Sequence, residues 1–285
     1  MLFEAAARKL GASFISLQLS QIALAEGDEA TRKREDALEA ATPDGQARLT
    51  LRDARLAASR GQLHQASDLF KRAGEQAIQL NLKEASANGA AEQGAIEALF
   101  GDRQQAIRDA NAAMAISQSP NVKLSVAIAL ALAGEDAKAQ ALAGQVAKSR
   151  PLDTLVQSVA VPTIQAIIET GHGNAAKAIE LLESARPYDR VDAETRFTRA
   201  NAYLKANRAS DAVQEYQAII ALKNINPANP VLSLAHLGLA RAYALQGDKV
   251  KARTTYQDFL ALWKDADPDL PILKEAKAEY AKLQP

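Results

Sequence analysis

The sequence predicts an all-α protein, a right-handed α-solenoid of about seven helix pairs closed by a C-terminal capping helix. Three observations predict it. Hydrophobic residues make up 48% of the chain but aromatics only 5%, alanine leads, and no β-branched run alternates with period two; alanine favours helices and fits strands poorly. Turn residues recur at Gly27, Gly61, Gly101, Gly134, Gly173, Asn207 and Gly247, at intervals of 34, 40, 33, 39, 34 and 40 residues. Glycine, and next asparagine, is favoured there because the residue just past a helix end often takes a positive φ. Around these turns the flanking residues repeat as well. Seven positions earlier stands a small residue (Ala54, Gly94, Ala127, Ala166, Ala200, Ala240), and five positions later an alanine (Ala66, Ala106, Ala139, Ala178, Ala212, Ala252). Small side chains at both places allow two helices to cross closely.

Taken in order, residues 1–42 form a degenerate first pair, with Arg32 where alanine is expected; terminal repeats are often atypical because one side faces water. Arg8-Lys9 followed by Leu10 to Ala25, ending Ala23-Leu24-Ala25, resembles a signal-peptidase site. Glu4 and the interruptions at Ser13, Ser16, Gln18, Ser20 and Gln21 instead suit an amphipathic helix with Phe14, Leu17, Ile22 and Leu24 inward, and a cytoplasmic location is expected. Nowhere is there a run of about 18 apolar residues to cross a membrane. Residues 43–264 carry the repeats, punctuated by linkers at Ser117–Asn121, Ser149–Asp153 and Asn224–Pro230, whose prolines and asparagines disfavour helix. Larger plugs follow the second alanine in Phe70, Leu182, Tyr216 and Tyr256, with Ala110 and Ala143 as weak versions. Residues 265–285 read as a cap whose stripe of Ile272, Leu273, Ala276, Tyr280 and Leu283 shields the last pair. Each linker leaves the register intact, so 1–285 is expected to be one superhelical domain.

The clearest copy, His236-x2-Leu239-Ala240-x2-Tyr243 then Ala252-x3-Tyr256, resembles the tetratricopeptide repeat. Arg196-x2-Arg199-Ala200-x2-Tyr203 then Ala212-x3-Tyr216 is similar, although no copy has the leading tryptophan and only Gly94 keeps the glycine. The segments Thr163–Tyr188, Ala200–Ala221 and Leu234 onward also resemble the C-terminal repeat region of bacterial eukaryotic-type serine/threonine kinases and winged-helix regulators. That resemblance implies a sensory or regulatory arm acting on an effector domain. The kinase glycine-rich loop, H-R-D and D-F-G are absent, so no catalytic role carries over.

Little in the chain suggests chemistry. With 34 residues of each charge sign there is no basic excess for nucleic acid, and with no cysteine there is no thiolate nucleophile or disulfide. Gly171-x-Gly173-x-x-Ala176 formally fits a dinucleotide fingerprint but falls in a repeat turn, without the strand that motif requires. Asp265, Asp267 and Asp269 imitate the start of a calcium loop, yet Leu270 replaces its glycine, and Asp267 or Asp269 is expected to cap the last helix. His64 and His172 lie at turns, and His236 takes a packing position. No enzyme activity, cofactor or metal is expected.

The concave face remains. First helices of successive pairs line it, and Arg52, Arg55, Asn88, Glu92, Asn201, Lys205 and Arg241 are expected to be exposed there above Ala91, Ala95, Leu124, Ile128, Ile167 and Leu237. The resemblance brings a carboxylate-holding lysine and asparagine pair into view, but Phe197 stands where the lysine should be, beside Asn201. The expected function is a non-catalytic scaffold that holds a partner peptide or helix in this groove.

Overall fold

The computed structural model describes residues 13–190 and 192–283; among them no strand occurs. Helices pair as α1 (Ser13–Glu26) with α2 (Glu29–Ala40), α3 (Gly45–Ser59) with α4 (Leu63–Gln79), and α5 (Lys83–Phe100) with α6 (Arg103–Ile116). The next pairs are α7 (Pro120–Ala133) with α8 (Asp136–Ser149), and α9 (Val161–Gly171) with α10 (Ala175–Leu181). They continue as α11 (Ala193–Lys205) with α12 (Ala209–Ala221) and α13 (Pro230–Leu245) with α14 (Lys249–Leu262), followed by α15 (Pro271–Ala281). The expected all-α array of helix pairs with a terminal helix is what forms.

Every predicted turn residue adopts positive φ, from 58° at Asn207 to 105° at Gly101. At each, the next residue's N–H reaches back five residues to a carbonyl, as from Gln62 to Ala57 and Asp248 to Tyr243, at 3.0 Å in both. This closure satisfies carbonyls that a helix end would leave bare. Three turns are Gly-Asp, and there Asp28, Asp102 and Asp248 accept from the backbone N–H three residues on. One dipeptide thus ends one helix and caps the next.

The small residues do what their spacing predicts. Ala54, Ala127, Ala166, Ala200 and Ala240 before the turns, and the six alanines after them, are all buried. At Gly94, the one glycine of the set, a Cβ would stand 2.9 Å from the Ala106 carbonyl oxygen. All six plugs are buried too, weak ones included.

All three linkers interrupt the helices where expected but are shorter than expected. Pro120 and Pro230 are already the first residues of α7 and α13, with Ser119 and Asn229 as N-caps, and Ser149 is the last residue of α8. The 40-residue spacing from Gly61 to Gly101 comes from long helices, α4 and α5, and not from an insertion. Pro162 cannot donate a helical hydrogen bond, and just before it the helix widens, Val161 N–H bonding the Val156 carbonyl five residues back. In α1 the buried residues are Ser16, Ser20 and Ala23, whereas Ile22 is exposed; the Phe14 side chain lies outside the described residues.

The largest departure concerns the C-terminus. The cap does not simply shield α13 and α14: it ties them to the second and third pairs. A single apolar cluster joins Ala54, Phe70 and Phe100 to Leu237, Phe259, Trp263 and Leu273. The Trp263 indole donates to the Ser59 carbonyl at 3.0 Å and meets the Phe100 ring edge-on at 5.0 Å. Asp267 donates its backbone N–H to the Gly61 carbonyl at 3.0 Å, and its carboxylate accepts from the His64 backbone N–H at 2.9 Å. Asp267 therefore caps the N-terminus of α4 and not α15, whose N-cap, Leu270, makes no side-chain bond. Helix α13 lies against α3, and α1 against the turn Leu222–Asn224. The array closes on itself.

Two glycines give opposite expectations. In Gly238→Ala the new methyl runs into the Tyr216 ring, whereas Gly144 in α8 faces open space. Urea denaturation should show Gly238→Ala destabilised by about 1–3 kcal/mol and Gly144→Ala stabilised by about 0.5–1 kcal/mol.

Candidate functional site: the concave face

Closure decides what the inner wall can offer. Six residues before each turn stand Arg55, Ala95, Ile128, Ile167, Asn201 and Arg241, one register carried through six first helices. Most of the polar residues expected in the groove are already engaged, several of them across adjacent pairs. Arg55 on α3 forks onto Glu92 of α5 at 2.6 and 2.7 Å. Asn88 of α5 accepts from Ser125 of α7 at 3.0 Å. Thr163 and Thr195 bridge α9 and α11 at 3.2 Å. Arg241 of α13 reaches Glu279 of α15 at 2.9 Å. Asn201 accepts from the Tyr216 hydroxyl at 2.6 Å, within its own pair. Lys205 is exposed.

Arg52 departs from expectation. It is only 4% exposed, and its guanidinium bonds Asp36 on α2, Ser20 on α1 at 2.8 Å and its neighbour Asp53 at 2.8 Å. It is the joint between the first two pairs and not a groove residue. Burial alone would push the Asp36 carboxyl up, but hydrogen bonds from Arg52 and Ser20 with the charges of Arg52 and Arg32 outweigh it, leaving the pKa below the ordinary value. The floor is also less open than expected, since Ala91 and Leu237 are buried while Leu124, Ile128 and Ile167 stay half-buried.

Where α3, α5, α11 and the linker before α13 converge, a cavity of about 310 Å³ persists. Arg55, Glu92, Glu194 and Asn229 bring their polar groups to it over Ala95, Ile96, Leu99 and Val231. Asn229 donates to Glu194 Oε1 at 2.8 Å. Glu194 is exposed to solvent on its outer side, while α3, α5 and the linker before α13 pack around the inner side of its carboxylate. That enclosure raises its pKa, and the charges of Asp192 and Glu92 add to the rise. Arg55 and Glu92 were legible in the sequence; Glu194 and Asn229 were missed. Glu194 stands thirteen residues before its turn, the offset of Asn88, so the spacing rule applied to α11 identifies it. Among the described residues no group of three His, Asp or Glu side chains is placed to hold a metal, and no helix is long and apolar enough to cross a membrane.

No family model matches the chain, and no curated protein matches it. Among solved structures it is similar to a tetratricopeptide repeat protein from Parabacteroides merdae, at 12% identity over 83% of this chain and 90% of that one, with a TM-score of 0.40. It is also similar to the tetratricopeptide domain of P58(IPK), at 14% identity over 99% and 91% of the two chains, with a TM-score of 0.36. The pair-by-pair construction described above is that of a tetratricopeptide-like α-solenoid.

Arg52→Ala removes one of the two guanidinium partners of Asp36, leaving Arg32 at 3.0 Å, and should cost about 1–3 kcal/mol in urea denaturation, as losing a charge-assisted hydrogen bond at a largely buried site does. Lys205→Ala, at an exposed site, should change stability by less than about 0.5 kcal/mol. Because the folded pKa of Asp36 is depressed, its stabilisation is present above the unfolded value and is lost as pH falls through the folded one. The acid-side fall in stability should therefore be shallower in Arg52→Ala than in the native chain.

Proposed function

We propose that this chain is a non-catalytic protein-interaction scaffold that receives a partner's peptide or helix on its concave face. One observation supports the reading above others. The inner-wall cavity joins a forked Arg55–Glu92 pair, the Glu194 carboxylate and the Asn229 amide to an apolar floor, the mixture that anchors a projecting side chain. Ile128 and Ile167 continue the register of Arg55 and Ala95 along α7 and α9 as half-buried apolar positions, suited to the apolar face of a bound segment. A cavity of about 310 Å³ is the size of an anchoring pocket and too small to enclose an extended peptide, so most of the partner lies outside it.

Peptides selected from a random display library on the native chain, measured by fluorescence polarisation, provide the test. Arg55→Ala and Leu99→Glu should each weaken selected peptides about tenfold or more, as expected of an interface anchor. Lys177→Ala, on the outer helix α10, should leave them unchanged. Peptides that bind all three variants equally would place the interaction elsewhere.

A further inference from the structure

Beneath the closing segment between α14 and α15 lies a second cavity, of about 450 Å³, which the scaffold reading does not use. Its charged lining is mainly anionic, with Glu97 of α5, Asp102 at the turn and Asp269 of the closing segment, beside the Ser67 hydroxyl, the Gln105 amide and the His64 imidazole. Phe100 and Leu270 supply apolar wall. Glu97 distinguishes this cavity from a solvated acidic patch. Its side chain is 4% exposed yet lines the cavity, and a carboxylate so enclosed ordinarily has a cation against it. No lysine or arginine lines the cavity, and its one basic group, the exposed His64 imidazole, is paired with Asp267 at 3.0 Å.

The groups around Glu97 come from every neighbouring element. Gln93 on its own helix offers it a hydrogen bond while donating to Ser67 of α4 at 2.9 Å. His64 of α4 is taken up by Asp267, at 3.0 Å. Asp102 and Asp109, at the start of α6 and within it, add negative charge, Arg108 offsetting part of Asp109's. One Asp109 carboxylate oxygen is buried without a hydrogen-bond partner. Among the described residues no group of three His, Asp or Glu side chains is placed to hold a metal. A cation carried on an apolar stem fits both the spread carboxylates and the walls.

We propose that this cavity binds an aliphatic ammonium group, its charge on Glu97 and its stem along Phe100 and Leu270, and that binding fastens the closed form of the array. Asp269 and Leu270 belong to the segment that closes it, whereas Glu97 and Phe100 belong to the third pair, so a ligand touching both bridges the seam. The same chemistry comes from a free alkylamine or from the lysine side chain of a partner. Burial, with the charges of Asp109 and Asp102, pushes the Glu97 carboxyl up to about 7. An incoming ammonium favours the ionised carboxylate, so binding displaces a proton from Glu97.

Isothermal titration with n-pentylamine, n-pentanol and Nα-acetyl-lysine amide tests this, in buffers of different ionisation enthalpy. Pentylamine or the lysine derivative should bind and pentanol should not, with about one proton released per ligand near pH 6 and little near pH 8.5. The tighter of the two identifies the source as a free amine or a lysine side chain. Glu97→Gln should weaken binding about tenfold or more and abolish the proton release. That variant removes a buried charge and should fold at least as stably as the native chain. Asp269→Asn, at the rim, should weaken binding without abolishing the proton release. Failure of both ammonium compounds to bind, or binding that Glu97→Gln leaves intact, overturns the proposal.

Discussion

The architecture depends on the contact between Trp263 with the segment after it and the turn at Gly61. Gly61 is a conformational necessity, with φ of 72°, and also a steric one, because a Cβ there would stand 2.8 Å from the Trp263 ring and 2.6 Å from Ala266. Around it, Trp263 donates to Ser59, and Asp267 both donates to Gly61 and caps α4. In an open solenoid each pair touches only its neighbours and the concave face stays free. Here α13 packs on α3, the inner wall narrows to a pocket, and a further cavity forms beneath the seam. Both candidate sites are consequences of closure.

The local architecture was legible because its causes are local. A turn needing positive φ selects glycine or asparagine, and a close helix crossing selects alanine or glycine. Both requirements recur at fixed offsets, so each pair stands out even where the copy is weak. Closure was not legible because its partners lie far apart in the chain, with Ser59 and Trp263 separated by 204 residues. Nothing within its own repeat distinguishes Trp263 from an ordinary plug. Asp267 was misread for the same reason: an aspartate shortly before a helix suggests the cap of that helix, and only the fold shows that it caps α4.

The inner wall was half legible. Register places Arg55 and Glu92 on it, but register does not say which polar residues already bond one another. Arg52 shares the helix and charge of Arg55 and lies three residues away, yet it faces α1 and α2 and is spent on Ser20 and Asp36. The buried Arg199 illustrates the same limit. It occupies a core position of the sixth pair and is held there by Asp189 and Glu215, an arrangement that a hydrophobic pattern cannot foresee. Sequence spacing identifies where a side chain sits on its helix, and tertiary packing decides whether it remains available.

Closure is therefore the claim on which the two sites rest, and the absence of cysteine from the chain makes it directly measurable. Gln65 on α4 and Lys264 after α14 are both exposed and lie on opposite sides of the seam. Spin labels on cysteines introduced at these two positions report their separation by pulsed dipolar spectroscopy in frozen solution. A single narrow distribution at short distance is predicted. A broad distribution reaching severalfold longer separations, as an open superhelix would give, contradicts it.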